Sequence, residues 1–528
     1  MPFHEDIVEQ ILSKKIQSKD ELHRRKIQLC KKYKLQSIPR DSEILAKLPS
    51  DQTENSVAFS LLRKKSTRTL SGVAIIAAMT SPATCPHGRC LPCPGGPEQN
   101  TPQSYTGFEP AAMRASYHNY DPYLQVQSRV EQLEAIGHVT DKVDLIIMGG
   151  TFTARLPSYQ QWFVKRCYDA LNAKRSPTLE HAKKNNEKAP SRCIGLTIET
   201  RPDWFRLQHV DHSLSLGATR VELGVQTIDD TLLSTMERGH TVSDSIAATR
   251  VAKDAGLKVC YHMMPGLPGS NKRKDLETFH TLFTDEHFKP DMIKIYPTLI
   301  TKGTKLYDLW KNGKYTPLST EQASHLIALI KKDIPEWVRI QRIQRDIPSQ
   351  EICTGIKKSN LRQYVEREMQ KQKTSCRCIR CREIGRAPVQ KTGMLTDGSL
   401  NSIHRRYRAS NAEEWFVSLE DTTQDILVGY LRLRDVVAPY RTELQEEPCM
   451  IIREVKVLGR EASLVSRTPE AYQHRGYGKK LVYEAERICF EQYGKKRLFV
   501  LSGVGVKPYY RKLGFVDDGV YLSKRIPV

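Results

Sequence analysis

The sequence predicts an α/β protein with a partial (β/α)6 TIM-like barrel and a separate C-terminal α/β domain, preceded by a basic helical module and joined by a cysteine-rich linker. Short apolar runs alternate with amphipathic segments over residues 69–335, as in repeated βα units. A second set of apolar runs begins after residue 396, past a basic stretch that contains three closely spaced cysteines. We therefore predict four regions, at residues 1–68, 69–335, 336–395 and 396–528.

The composition predicts a multidomain protein that binds a polyanion. The chain has 528 residues, and its 82 lysines and arginines exceed its 60 acidic residues by 22. Each phosphate that lysine or arginine neutralises releases condensed counterions, so this excess favours a nucleic-acid partner. A basic surface that only keeps the protein in solution is the alternative.

Membrane and secretory classes are not predicted. The sequence has no run of ~18 consecutive apolar residues, and its N-terminus lacks a signal-peptide pattern. The 13 cysteines are an odd number grouped at short spacings, which favours metal ligation in a reducing compartment over disulfides. We expect no membrane contact and a cytoplasmic location.

Residues 1–68 form the predicted basic helical module. Apolar residues recur there at helical spacing, as at Ile7, Val8 and Ile11. Basic runs such as residues 23–26 and 63–65 predict a nucleic-acid-binding face, whereas a solvated surface is the alternative for any single run.

Six apolar runs are the predicted strands of the barrel. In barrels of this kind the chemistry lies at the C-terminal ends of the strands, and chemically suited residues follow five of these six runs. The predicted strands are Val73–Ala78, Val143–Met148, Cys193–Ile198, Arg220–Val225, Leu257–His262 and Met292–Tyr296.

A cysteine loop follows the first predicted strand. Cys85, Cys90 and Cys93 are spaced C-x4-C-x2-C and precede a Pro-Gly-Gly-Pro turn that suits a tight loop around a cofactor. A [4Fe–4S] cluster normally takes four thiolates, so three would leave one iron open for S-adenosylmethionine (SAM). The pattern indicates radical-SAM chemistry, with a zinc knuckle as the rival interpretation.

The ends of the next strands carry candidate SAM ligands. Glycines let the backbone approach a ligand closely, and polar side chains can bind the amino and carboxylate groups of SAM. The candidates are Gly149, Gly150, Thr151, Glu199, Arg201 and Gln226. Because they coincide at successive strand ends with the cysteine loop, they favour a radical-SAM barrel over a structural one.

The predicted linker carries a second cysteine group. Cys376, Cys378 and Cys381 are spaced C-x-C-x2-C, which fits a structural zinc site. Tetrahedral zinc needs a fourth ligand, and Cys353 and His404 are the candidates. Three free thiols are the alternative.

The C-terminal domain shows the pattern of a GNAT acetyltransferase. The run Gln473, His474, Arg475, Gly476, Tyr477, Gly478 and Lys479 matches Q-x-x-G-x-G, which can bind the pyrophosphate of acetyl-CoA at a helix N-terminus. Tyr509 and Tyr510 lie in a Y-x-K-x-G-F pattern, where a tyrosine can protonate the leaving thiolate. Lys456 and Val457, at the end of a predicted strand, complete the expected acetyl-CoA site. The predicted strands are Glu414–Leu419, Ile426–Leu433, Met450–Val457 and Leu498–Leu501.

Together these motifs resemble the catalytic subunit of Elongator over nearly the whole chain. The segments that carry the resemblance are 93–97, 103–110, 113–115, 198–203, 221–227, 294–298, 341–348, 426–434 and 502–505. The cysteine spacing in the first loop and the complete C-x-C-x2-C are typical of an archaeal or bacterial member, so no obligate Elongator complex is expected. A homo-oligomer is compatible with the sequence.

The resemblance implies a tRNA-modifying enzyme that uses a [4Fe–4S] cluster, SAM and acetyl-CoA, with zinc as the expected ion of the linker. A SAM-derived 5′-deoxyadenosyl radical would take hydrogen from the methyl group of acetyl-CoA. The resulting carbon radical would add to C5 of the wobble uridine in the tRNA anticodon, and hydrolysis of the thioester would leave a carboxymethyl group. Lys294 and Tyr296 are candidates for contacts to the base. The electron donor is not indicated.

Two other functions remain open at this point. One is a protein lysine N-acetyltransferase of the histone-modifying type, in which the barrel is only structural. The other is a noncatalytic tRNA-binding scaffold.

Overall fold

A computed structural model of the chain describes residues 2–49, 56–63, 72–387, 397–459 and 475–527. The N-terminal part is helical, with a core of its own that includes Phe3, Ile7 and Ile44. A Ser18–Glu21 capping box begins its longest helix. Its helices are α1 (Pro2–Leu12), α2 (Lys19–Lys32), α3 (Asp41–Leu45) and α4 (Val57–Leu62).

A parallel sheet of seven strands forms the second region, with the strands in chain order β1-β2-β3-β4-β5-β6-β8. Consecutive parallel strands joined by helices form the predicted partial barrel, which is confirmed. The strands are β1 (Ala74–Met79), β2 (Lys142–Met148), β3 (Arg192–Thr200), β4 (Arg220–Gln226), β5 (Lys258–Met263), β6 (Met292–Ile295) and β8 (Arg339–Ile343).

The seventh strand corrects the predicted count of six. Strand β8 lies within the segment predicted as linker, and it pairs with β6. Sequence reasoning missed it because Arg339, Gln341 and Arg342 interrupt its apolar residues, and these three side chains line the interior cavity of the barrel.

Helices pack on the outside of this sheet, and the apolar faces of both form one large core. The helices are α5 (Pro110–Tyr117), α6 (Pro122–Ala135), α7 (Pro157–Leu171), α8 (Leu179–Asn186), α9 (Leu207–Ser215), α10 (Asp230–Thr235), α11 (Val242–Asp254), α12 (Lys272–Thr284), α13 (Lys305–Lys311) and α14 (Thr320–Lys332). A short ribbon of β7 (Ile300–Thr301) and β9 (Ile352–Thr354) lies beside them, and α15 (Leu361–Lys371) and α16 (Ile379–Arg382) follow.

The C-terminal domain has its own seven-stranded sheet, in the order β10-β11-β12-β13-β14-β16-β15. Its strands are β10 (Asn401–Ala409), β11 (Ala412–Asp421), β12 (Ile426–Asp435), β13 (Cys449–Val457), β14 (Arg497–Val500), β15 (Val516–Asp518) and β16 (Tyr521–Arg525). Its helices are α17 (Tyr477–Arg487) and α18 (Lys507–Arg511). Strand β14 pairs in parallel with β13 only along Cys449–Ile452. The rest of this edge of β13 therefore separates from β14.

The C-terminal domain docks against the N-terminal ends of the barrel strands. Arg453 on β13 donates to the carbonyl of Leu257, 2.8 Å away, and forms two bonds with the carboxylate of Asp291. Arg432 on β12 donates to the carbonyl of Trp337 at 2.7 Å. Leu257, Asp291 and Trp337 each precede a barrel strand, so the domain closes the end of the barrel opposite the cysteine loop.

Among the described residues, none of the helices has the length and apolar character needed to span a bilayer.

Candidate active site

The three cysteines of the first loop lie over the C-terminal ends of the barrel strands. Cys85, Cys90 and Cys93 are all buried and line the same cavity. The backbone between them is fixed because the N–H of Leu91 donates to the carbonyl of Met236 at 3.0 Å. The loop is therefore held by the barrel wall rather than by its own contacts alone.

Each of these sulfur atoms has a separate polar partner. The Cys85 sulfur lies 3.4 Å from Oγ1 of Thr151, and the Cys93 sulfur accepts a bond from Gln103 Nε2 at 3.1 Å. The Cys90 sulfur accepts a bond from Arg238 Nη1 at 3.2 Å and lies 2.9 Å from Nε2 of His87. Such N–H donors stabilise thiolates, which are the form that ligates iron.

The spread of the sulfur atoms fits a cluster better than one zinc ion. The Cys376 group gathers three sulfur atoms within 4.8 Å of one another, and the three cysteines of the first loop form no such group. A [4Fe–4S] cluster takes its thiolates on different irons and so needs wider spacing. The residues present therefore fit the implied cluster with one iron left open.

The glycine pair at the end of β2 lies beside the cysteine loop. A Cβ on Gly149, which has φ +124°, would lie 2.2 Å from Oγ1 of Thr80. Only glycine therefore permits this approach of the backbone to the end of β1. Gly150 lies next to Gln103 and Cys85, and the buried Thr151 follows. The predicted SAM loop thus adjoins the cysteines.

The side chain of Arg201 is buried and forms hydrogen bonds with other residues of the protein. It binds Asp203 through two bonds of 3.0 Å and donates to the carbonyl of Arg238 at 2.7 Å. Since Arg238 contacts the Cys90 sulfur, Arg201 positions the residue next to the cysteines. Arg201 and Gln226, whose φ is +69°, both line the cavity.

A buried network of charged residues lies deeper in the barrel. Nζ of Lys294 lies 3.3 Å from Oε1 of Glu199 and forms an ion pair with Glu222. Nε2 of His262 lies 2.7 Å from Oε2 of Glu222, and the hydroxyl of Tyr105 donates to Glu199 at 3.1 Å.

Neighbouring charges shift the pKa values of the residues in this network. Burial alone would lower the pKa of Lys294, but Glu222 and Glu199 raise it above its usual value. Burial would raise the pKa of Glu222, but Lys294 and His262 hold it well below its usual range. Lys294 is therefore an ammonium at neutral pH.

The rings of Tyr296 and His262 pack edge to face, with ring centroids 5.4 Å apart.

Helices α17 and α18 carry residues predicted to bind acetyl-CoA. Gly476 precedes α17 with φ +85°, and a Cβ on Gly478 would lie 2.8 Å from the hydroxyl of Tyr509. Val457 at the end of β13 lies beside Gly478. The first turn of α17 is thus packed closely against Tyr509.

The structure separates the two tyrosines. Tyr509 is 37% exposed and faces α17, whereas Tyr510 is 5% exposed and packs in the domain core. Burial raises the pKa of Tyr509 to about 12, which keeps its hydroxyl protonated at neutral pH.

The remaining residues of the predicted acetyl-CoA run have different surroundings. Tyr477 is buried, and Arg475 and Lys479 are exposed. Lys479 lies over the ring of Tyr483 at 5.2 Å. Gln473 and His474 fall outside the described residues.

A single cavity of about 440 Å³ connects the two halves of the molecule. At one end it is lined by Cys85, Cys90 and Cys93, and along the barrel by Glu199, Glu222, His262, Lys294 and Tyr296. At the other end it is lined by Lys456, Leu458 and Gly459 of the C-terminal domain. The two predicted cofactor sites therefore adjoin one space.

The second cysteine group fits three ligands of a zinc ion. Cys376, Cys378 and Cys381 hold their sulfur atoms within 4.8 Å of one another. Hydrogen bonds from the other two thiols lower the pKa of Cys378 well below its usual value. Neither candidate for a fourth ligand belongs to the group, since Nε2 of His404 lies 2.9 Å from Glu484 and Cys353 packs against a separate apolar cluster.

Four family models match successive parts of the chain. They are the ELP3 N-terminal domain over residues 1–70, the radical SAM superfamily over 81–282, the radical SAM C-terminal domain over 290–371 and the acetyltransferase (GNAT) family over 394–515.

Relatives match over nearly the full length. The tRNA uridine(34) acetyltransferase of Methanocaldococcus infernus is 50% identical over 493 residues, which is 92% of each chain. Elongator complex protein 3 of Schizosaccharomyces pombe is 41% identical over 98% of this chain and 97% of its own. The solved structure of the archaeal M. infernus Elp3 with an N-terminal deletion (1–46) has a TM-score of 0.77 at 46% identity, and the match covers 87% of this chain and 100% of that one. The chain therefore belongs to the family of the archaeal tRNA uridine(34) acetyltransferases and Elongator complex protein 3, and is an acyltransferase with radical-SAM and GNAT domains.

Proposed function

We propose that this enzyme modifies the wobble uridine of tRNA at C5, using the acetyl group of acetyl-CoA to leave a carboxymethyl-type substituent. The observation that carries the proposal is the shared cavity, which runs from the three cysteines to the end of β13 in the acetyltransferase domain. Uracil C5 is a weak nucleophile, so ordinary acyl transfer would not suffice. Two cofactor sites on one cavity meet this requirement.

The residues around the cysteine loop would hold the first cofactors. Cys85, Cys90 and Cys93 would ligate a [4Fe–4S] cluster, and the Gly149–Thr151 loop would bind SAM. With SAM bound, such a cluster supplies a 5′-deoxyadenosyl radical able to take hydrogen from an unactivated methyl group. Arg238 and Gln103 would hold the thiolates in place through their N–H bonds.

The charged network would bind the uracil. Uracil offers carbonyl oxygens as acceptors and N3–H as a donor. Within the described residues, Glu199 and Glu222 engage Lys294, an ammonium with three N–H donors. Lys294 would donate its remaining N–H to a carbonyl, Glu199 would accept from N3–H, and the Tyr296 ring would contact the base.

Tyr509 would act on the thioester. Its hydroxyl lies against the first turn of α17, where the glycines and backbone N–H groups suit the pyrophosphate of acetyl-CoA. Its hydroxyl is protonated at neutral pH and would serve as the general acid that gives a proton to the leaving CoA thiolate. Tyr510 would support it through the core.

The charge of the chain supports a tRNA substrate. An excess of 22 basic residues suits a phosphate backbone, and anticodon bases are unpaired and can enter a pocket singly. The tRNA name of the archaeal relatives agrees with this assignment.

The test is anaerobic reconstitution with iron and sulfide, followed by incubation with SAM, a reductant, acetyl-CoA and tRNA. Mass spectrometry of the digested nucleosides should reveal a C5-modified uridine that requires all four components. Cys90→Ser should abolish it, and Cys353→Ser, which removes a thiol outside the cavity, should not. Modified uridine from the Cys90→Ser variant would refute the radical step. Acetylation of a lysine peptide without any tRNA modification would refute the proposal that tRNA is the substrate.

Zinc in the Cys376 group, a cytoplasmic location, a homo-oligomer and independence from other Elongator subunits stay predictions.

A further inference from the structure

The cavity wall between the two cofactor sites is cationic where the linker crosses it. Arg339 on β8, Arg380 on α16, Arg386 in the following turn and Lys456 on β13 all line this part. They come from three regions of the chain, so the fold and not a local basic run brings them together.

The acidic residues nearby do not balance this charge. Glu383 accepts from Arg339 at 2.8 Å and from Arg386 at 2.6 Å, so one carboxylate serves two guanidinium groups. Glu454 accepts from Arg432 at 2.9 Å. Across the described part of the chain, neither the side chain of Arg380 nor that of Lys456 has a hydrogen-bond or ion-pair partner.

The charges around Lys456 agree with this imbalance. Burial and Arg339 lower the pKa of Lys456. An anion bound beside Lys456 would relieve this effect.

Contacts of the residues around it in the chain hold Arg380 in this wall. Cys378 precedes α16, and Cys381 lies within the helix. The N–H of Ile379 donates to the carbonyl of Val338 at 3.0 Å, and Arg382 is anchored to Asp425 at 2.7 Å. Ile379 and Arg382 are thus held on either side of Arg380, and Arg380 itself lines the cavity.

We propose that Arg380 and Lys456 form a subsite for a phosphodiester of the RNA backbone, next to the nucleotide whose base enters the cavity. This inference rests on the proposed function. The pyrophosphate of acetyl-CoA has its expected position at the start of α17, outside this wall, so we reassign Lys456 from the expected acetyl-CoA site to the RNA. Arg342 and Arg386 line the cavity with 44% and 33% of their side chains exposed, so a polynucleotide can approach from this side.

The test measures binding of a fluorescein-labelled RNA hairpin with an anticodon loop that carries uridine at the wobble position. Arg380→Gln should weaken binding about tenfold and reduce the slope of log affinity against log salt by about 0.7, as expected for one lost phosphate contact. Arg380→Lys should recover part of the loss. Arg273→Gln, the same charge change at an exposed side chain of α12, should bind as the wild type does.

Backbone substitution locates the phosphate. A methylphosphonate on the 5′ or the 3′ side of the wobble uridine should weaken wild-type binding at one of the two positions. At that position it should add nothing to the loss caused by Arg380→Gln. The acetyl-CoA affinity of Arg380→Gln should equal that of the wild type, which also shows that the variant is folded.

Three outcomes would overturn the subsite. They are unchanged RNA binding by Arg380→Gln, equal methylphosphonate penalties in wild type and variant, or a loss of acetyl-CoA affinity with RNA affinity intact. A wild-type chain that fails to bind the hairpin would instead overturn the proposed function, and this inference with it.

Discussion

Asp291→Asn should destabilise the junction between the barrel and the acetyltransferase domain. Asp291 is fully buried and belongs to an ionic cluster that spans the two domains. Arg453 binds its carboxylate at 2.5 and 2.8 Å, Arg432 lies 3.5 Å away and Lys253 lies 3.7 Å away. The cluster pairs four cations with four anions: Lys253, Arg432, Arg434 and Arg453 with Asp254, Asp291, Glu414 and Glu454.

Asparagine keeps the volume of the side chain but removes one of the four negative charges. One buried positive charge then lacks compensation, and an amide N–H2 can face the donors of Arg453. Breaking a buried ion pair on one side costs about 3–5 kcal/mol. At about 2–4 °C per kcal/mol for a unit of 150–250 residues, the melting temperature should fall by roughly 6–20 °C.

Differential scanning calorimetry and urea denaturation would measure this loss. Glu277→Gln is the matched control, because it also removes one carboxylate, from an exposed ion pair with Arg273 at 3.7 Å. The control should lose no more than about 1 kcal/mol. An Asp291→Asn variant as stable as the control would show that the buried cluster does not hold the domains together.

Three further predictions concern the same residues and the two cofactor sites. Burial would raise the pKa of Asp291, but Arg453 and the other cations lower it, so its stabilisation is present above the unfolded pKa of ~3.9. The difference in unfolding free energy between wild type and Asp291→Asn should therefore hold from pH 5 to pH 8 and shrink as the pH falls below about 4. Tyr509→Phe should slow tRNA-dependent acetyl-CoA turnover by about 10²-fold or more, while Tyr510→Phe stays within a few-fold of wild type; equal losses in both would contradict the separation of the two rings. Arg238→Gln removes a donor to the Cys90 sulfur and should shift the midpoint potential of the reconstituted cluster to a more negative value in an EPR-monitored titration, whereas an unchanged potential would contradict that contact.

The sequence was sufficient for the parts of the fold that depend on apolar periodicity. The partial parallel barrel and the C-terminal acetyltransferase domain are confirmed, because their central strands are buried on both faces and appear as apolar runs. Four strands of the two sheets were missed: β8, β10, β15 and β16. Strands β8 and β10 have polar residues that face the cavity or solvent, as Arg339 and Arg406 illustrate.

The candidate site was predicted where its residues are close in sequence or end a strand. The cysteine loop and the Gly149–Gly150 pair needed only local spacing. Arg238 could not be found in this way, since it lies 148 residues from Cys90 and reaches it only through the fold. The position of Arg201 in the site also depends on a tertiary contact, its hydrogen bond to the backbone carbonyl of Arg238.

An isotope experiment tests most directly whether the methyl carbon of acetyl-CoA reaches uracil C5 in the shared cavity. The reconstituted enzyme would be supplied with acetyl-CoA that carries a trideuterated methyl group, together with SAM, reductant and tRNA, and the nucleosides would be analysed by mass spectrometry. If the methyl carbon becomes bonded to uracil C5, it must lose one deuterium, so the modified uridine should retain two. A modified nucleoside with three deuteriums, as simple acetyl transfer would give, or unmodified uridine in the complete reaction, would contradict the account.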